Sequence, residues 1–78
     1  MTTYQAQERQ GHERQLTVRG ITIEEAAQHA ITRLYGRGQV ALRVTGDPGM
    51  SGIFQGYAQV PRRLGGGLTS IGHNVHIG

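Results

Sequence analysis

Histidine, arginine and carboxylate side chains are the groups of this 78-residue chain best equipped for chemistry, and their spacing is the first thing to weigh. His73 and His76 form an H-x-x-H pair. On a helix that spacing places both imidazoles on one face, whereas on a strand it sends them to opposite faces. The chain has no cysteine, and no acidic residue lies near the pair to complete the ligand set that zinc requires. No metal site is expected. His29 reads as a solvated helix residue and His12 as a turn residue. Ser51 and Ser70 lie near glycines but lack the strand-to-helix elbow of a hydrolase nucleophile. Four of the five carboxylates fall in the first third of the chain, with no pair spaced for acid–base work. The Gly65–Gly66–Gly67 run lacks the lysine and spacing of a phosphate-binding loop. The expectation is a protein with no catalytic residues and no cofactor.

Arginine remains. All eight basic residues are arginine, which excludes lysine Schiff-base chemistry and favours bidentate contacts to carboxylate or phosphate. A GC-rich coding sequence would produce the same bias. The run Arg62–Arg63–Leu64–Gly65–Gly66–Gly67 reads as a flexible loop with adjacent positive charges. It is either a solvated hairpin loop or a docking loop for an acidic protein surface or a nucleic-acid backbone. Arg37 and Arg43 extend this patch if the strands align. Gln55 and Tyr57, the latter expected to be exposed, would sit beside it as an interface anchor, because Tyr and Arg are favoured at binding hot spots. The candidate partner-binding set is Arg37, Arg43, Gln55, Tyr57, Arg62 and Arg63.

The element that must position these residues is the stretch Ile21 to Gly36. Thr22 can cap a helix start by accepting from the Glu25 amide, with Glu25 reaching back in a capping box. Ile21 and Ala26 are placed as a hydrophobic staple. Glu24 and Glu25 suit the positive end of the helix dipole, and Arg33 the negative end. Gly36 is the expected left-handed residue after the last turn. Ile23, Ala26, Ala27, Ala30, Ile31 and Leu34 mark one buried face, and the small alanines predict close packing on a sheet.

The rest alternates like strands. Thr2 to Arg9 reads as a weak edge strand, and Gln10, Gly11 and His12 as a turn. Glu13 to Arg19 is a strand with Leu16 and Val18 on one face. Gln39 to Thr45 follows the helix, with Val40, Leu42 and Val44 expected to face inward and Ala41, Arg43 and Thr45 outward. Gly46–Asp47–Pro48–Gly49 reverses the chain. Ser51 to Val60 is the next strand, in which Gly52 and Gly56 predict a bulge or a close backbone approach. Leu68 to Ile77 is the last, with Ile71, His73, Val75 and Ile77 on one face. The predicted architecture is α+β: a single domain over 1–78, with an antiparallel sheet of four to five strands packed on one helix in the order ββαβββ.

A chain this short buries only about 60% of its unfolded surface, so it gains from a partner, as a docked monomer or a homodimer. No apolar run is long enough to span a membrane, and the first ten residues lack the apolar core of a secretory signal. A net charge of +3 excludes an acidic nucleic-acid mimic.

Three segments together resemble a family of small phage anti-CRISPR proteins that inhibit type I-E CRISPR–Cas systems. They are Ile21–Thr22 leading into the alanine-rich helix, Ser51–Gly52–Ile53–Phe54–Gln55–Gly56–Tyr57, and Thr69 through Ile77. The similarity spans roughly residues 13 to 77, and the S-G-[aliphatic]-F-Q-[small]-Y run is its most specific part. The resemblance implies a protein without chemistry of its own, working in the host bacterial cytoplasm. It would bind one or more subunits of the type I surveillance complex, Cascade, and stop interference with phage DNA. It would act by covering the DNA-entry channel, by blocking the recruited nuclease-helicase, or by holding the complex in an unproductive state. The alternatives are a small basic nucleic-acid-binding module, or a structural, antitoxin-like interaction domain whose weak N-terminal strand offers an open edge.

Overall fold

The computed structural model describes residues 1–78. It has the expected α+β architecture: one helix packed on a five-stranded antiparallel sheet. In chain order the elements are β1 (Thr2–Glu8), β2 (Gln15–Gly20), α1 (Ile23–Tyr35), β3 (Gln39–Arg43), β4 (Gly52–Gln59) and β5 (Leu68–Ile77), with one 3₁₀ turn at Arg62–Leu64 between β4 and β5. The order across the sheet is β2-β1-β5-β4-β3.

Local chemistry sets the helix ends. Thr22 Oγ1 accepts from the Glu25 amide at 3.1 Å, a cap that stabilises by about 1 kcal/mol. Glu25 reaches back one residue further than a standard capping box, accepting from the Ile21 amide at 3.4 Å. The staple does not form, because the Ile21 side chain is largely exposed. At the other end Gly36 takes φ 91° and ψ 177°, so its φ is positive but it is not left-handed helical. That region is open to glycine alone, and it leads the chain into the Arg37–Gly38 turn before β3.

The buried helix face is the predicted one. Ile23, Ala26, Ala27, Ala30 and Ile31 pack with Ala6, Val18, Phe54, Val75 and Ile77 into a single core, and Leu34 joins its margin. At Gly20, a Cβ would fall 2.7 Å from the Ala26 backbone nitrogen, so the close approach of β2 to the helix requires glycine there.

Two expectations about the strands are corrected, and a third is resolved between its alternatives. First, β1 is not an edge. It pairs with β2 on one side and β5 on the other. Its alternating glutamines lie on a sheet face that no element covers, so polar alternation marks an open face here rather than an open edge. Second, the register of β3 is opposite to that expected. Gln39, Ala41 and Arg43 lie across from Ala58, Gly56 and Phe54 on the helix side, while Val40, Leu42 and Val44 face away and are 39%, 39% and 50% exposed. Third, of the bulge or close approach expected at Gly52 and Gly56, close approach is found at both, and the register shift opposite Gly56 takes its extra residues from β5. Between Gln55↔Asn74 and Tyr57↔Ser70, β4 advances two residues and β5 four, and Gly72 has φ +77°. Gln39 Oε1 lies 2.5 Å from where a Gly56 Cβ would be, and the Thr45 carbonyl blocks a Cβ at Gly52.

The two edges, β2 and β3, are each tied to the helix by a side chain. Gln28 lies against β3 like a short strand: its Oε1 accepts from the Ala41 amide at 2.9 Å and its Nε2 donates to the Gln39 carbonyl at 2.8 Å. His29 Nδ1 donates to the Arg19 carbonyl of β2 at 2.7 Å. Replacing Gln28→Ala removes both bonds to β3, and urea unfolding should report a loss of about 1–2 kcal/mol. An unchanged midpoint would mean that the Gln28 bonds do not hold β3.

Candidate functional site

The strand register brings the β1–β2 turn, the end of α1, the Gly36–Gly38 connector and the β4–β5 hairpin to one end of the sheet. Arg9, Arg14, Arg37, Arg62 and Arg63, five of the eight arginines, therefore belong to that end, while Arg33 lies along the helix beside β2 with Arg19. The carboxylates at that end are Glu8 and Glu13. Glu24, Glu25 and Asp47 lie toward the opposite end with Arg19 and Arg43. The molecule is thus electrically polarised, with a basic end that focuses the field toward an approaching anionic surface.

Arg37, Arg62 and Arg63 are exposed at this end. The Arg62–Arg63 segment is ordered into a 3₁₀ turn. The Leu64 amide donates to the Pro61 carbonyl at 2.8 Å, and the Gly66 amide donates to the same oxygen at 3.1 Å. Gln55 and Tyr57 stand on the face away from the helix, both half-buried. Gln55 donates to Asn74 Oδ1 across the strands at 2.8 Å, and Tyr57 lies between Val40 and Ser70. With Val40, Leu42, Ile53 and Leu68 they make an apolar patch edged by amides.

Arg43 does not join this patch. Its guanidinium turns to the helix side and lies over the Phe54 ring, 4.5 Å from the centroid. It donates to Glu24 Oε2, to the Met50 carbonyl at 2.9 Å and to the Thr45 carbonyl at 3.1 Å. Glu24 also accepts from the Gly49 amide at 3.0 Å, and these contacts hold its carboxyl below the usual range. Arg43 therefore fastens the β3–β4 turn to the start of the helix, a structural role.

Sequence reasoning missed a buried polar cluster under the end of α1. Glu8 points into the core side of β1 and is 3% exposed. Its carboxylate accepts from Arg14 Nη2 at 3.0 Å, Arg14 Nε at 3.2 Å, the Arg14 amide at 3.1 Å and the Tyr35 hydroxyl at 2.6 Å. The bonds to Arg14 and then Tyr35 bring the Glu8 pKa from about 4.5 down to about 2, against the opposing effect of burial. Burial, then the Glu8 carboxylate, pushes the Tyr35 phenol up. Tyr35 also stacks on His73, with centroids 3.8 Å apart, and accepts from Gln10 Nε2 at 3.3 Å. The other amide atom of Gln10, Oε1, accepts from the Asn74 backbone at 3.0 Å. Arg14 further donates to the Leu34 carbonyl at 3.3 Å, satisfying one of the free carbonyls of the helix end. The sequence signal was Glu8 itself, a carboxylate at an inward position of an alternating strand, six residues from an arginine across a turn.

His73 and His76 do lie on opposite sheet faces, His73 against Tyr35 and His76 between Gln7 and Ile53. No three His, Asp or Glu side chains come close enough together to hold a metal ion. No protein-family model matches the chain, and a search of curated proteins finds no similar sequence.

The Glu8 cluster dictates an acid sensitivity. Between pH values of about 4.5 and 2 the unfolded chain takes up a proton that folded Glu8 refuses, so stability is intact above this window and falls as the pH drops through it. Glu8→Gln should flatten that slope in urea titrations and cost about 2 kcal/mol at neutral pH. An undiminished slope in the variant would place the acid sensitivity elsewhere.

Proposed function

We propose that this chain is a non-catalytic protein-binding domain of the anti-CRISPR kind, which docks on a type I surveillance complex and blocks interference with phage DNA. One observation carries the reading. The Ser51–Tyr57 run, the most specific part of the resemblance to type I-E inhibitors, falls in β4 from Gly52 onward and displays Ile53, Gln55 and Tyr57 on the sheet face that the helix leaves uncovered. The Arg62–Arg63 turn follows on the same hairpin, and Arg37 precedes β3 at the same end of the sheet. An apolar centre containing tyrosine, bordered by arginine, is the composition of a protein-binding hot spot.

The clustered arginines also favour a second reading, a module that grips a nucleic-acid backbone. The two readings separate by salt. Phosphate binding weakens steeply between low and moderate salt, whereas an interface centred on Tyr57 and apolar side chains weakens little.

Tagged protein should capture purified type I Cascade of at least one subtype. Tyr57→Ala combined with Arg62→Glu should weaken capture by about 100-fold or more, given roughly 2 kcal/mol or above for a hot-spot tyrosine alone. Failure to capture any type I complex, with salt-sensitive binding to free DNA or RNA, would transfer the assignment to the second reading.

A further inference from the structure

The two sheet edges differ in a way that bears on binding. On β3 the outward carbonyl of Gln39 and the outward amide of Ala41 are both held by the Gln28 side-chain amide. On β2 the outward groups can be identified from the ladder. Both the N–H and C=O of Gln5 bond to Gly78, beyond β5, at 2.9 Å. Because the two groups of a strand residue point to the same side, those of Thr17, opposite Gln5 on β2, point away from β1 into solvent. Gln15 and Arg19 share that parity. Only the Arg19 carbonyl is taken, by His29. Gln15, Thr17 and Arg19 are exposed.

Alongside this open edge runs a groove of about 390 Å³ between β2 and α1, lined by Met1, Thr17, Val18, Arg19, His29 and Arg33. His29 and Arg33 are one helical turn apart and overhang it. The lining contains two arginines and no carboxylate. A second copy of the chain would bring the same arginines to the groove, like charge against like. An incoming strand carrying carboxylates would meet them with opposite charge.

We propose that the β2 edge is a strand-addition site for an extended, acidic segment of a partner protein. The backbone of the segment pairs with Gln15, Thr17 and the Arg19 amide. Its residue beside Val18 points to the helix side, where a carboxylate reaches Arg33. This surface is separate from the β4 face, and the proposal stands or falls independently of the anti-CRISPR reading.

The test uses the full chain and a fluorescein-labelled peptide of alternating valine and glutamate, with an alternating valine and lysine peptide and a single-stranded oligonucleotide as comparisons. Anisotropy should show the glutamate peptide binding at least about 10-fold more tightly than the lysine peptide. Amide shifts should centre on Thr17 and Arg19. Thr17→Pro, tolerated on an edge because its N–H faces solvent, should abolish binding. Arg33→Glu, on the exposed helix surface, should reverse the peptide preference. Equal binding of the two peptides, binding that survives Thr17→Pro in a folded variant, binding of the oligonucleotide alone, or a dimer that occupies the edge would each overturn the proposal. Cascade capture by Thr17→Pro is read separately and tests only whether both functions share a surface.

Discussion

A single helix has to cover a five-stranded sheet, and the rest of the structure follows from that mismatch. Five strands at their usual spacing span about 19 Å, while a helix with its side chains is about 10 Å across. The alanines of α1 let it sit close to the sheet, and the consecutive residues Gln28 and His29 reach the opposite edges, β3 and β2. Helix and both sheet edges are thus joined by side-chain hydrogen bonds as well as by the core. The opposite face of the sheet has no covering layer in this chain, so its apolar side chains on β3, β4 and β5 are available to a partner.

The ends of the helix are fastened by ion pairs of unlike character. At the start, the Glu24–Arg43 pair is partly exposed and ties a turn in place, where its contribution is limited by solvent screening. At the end, Glu8 is buried and Arg14 half-exposed, with Tyr35 and the Arg14 backbone completing the carboxylate's hydrogen bonds. A buried carboxylate without those partners would be strongly destabilising. The cluster also fixes the β1–β2 turn, and with it Arg9 and Arg14, beside the end of the helix. The basic end of the molecule is therefore built on an internal acid.

Much of the fold was legible because it rests on local rules. The Thr22 cap, the alanine face, the inward side of β2 and the opposition of His73 to His76 follow from spacing alone. The errors arose where tertiary context overrides local pattern. Val40, Leu42 and Val44 look like an inward face, but this sheet has one face without a cover, and Arg43 gains more by lying on Phe54 and binding Glu24 than by facing water. The four glutamine and threonine positions of β1 suggested an edge for the same reason. Gly56 does mark the register shift, but which strand carries the extra residues, β5, depends on pairing between strands, which spacing within one strand does not specify. Of the candidate site, Arg37, Arg62 and Arg63 lie exposed at one end, Gln55 and Tyr57 lie half-buried on the open face, and Arg43 belongs to the scaffold. The Glu8 cluster was hidden because its members are scattered from residue 8 to residue 74.

Gln28 of the helix holds the Gln39 carbonyl and the Ala41 amide of the β3 edge, whereas on the β2 edge only the Arg19 carbonyl is held, by His29. Native-state hydrogen exchange of individual amides tests this difference most directly, since Ala41 and Thr17 both point outward from edge strands. The Ala41 amide, held by Gln28, should exchange far more slowly than the Thr17 amide, which has no partner across the edge. Equal, fast exchange at both positions would contradict the Gln28 closure, and equal protection at both would contradict an open β2 edge.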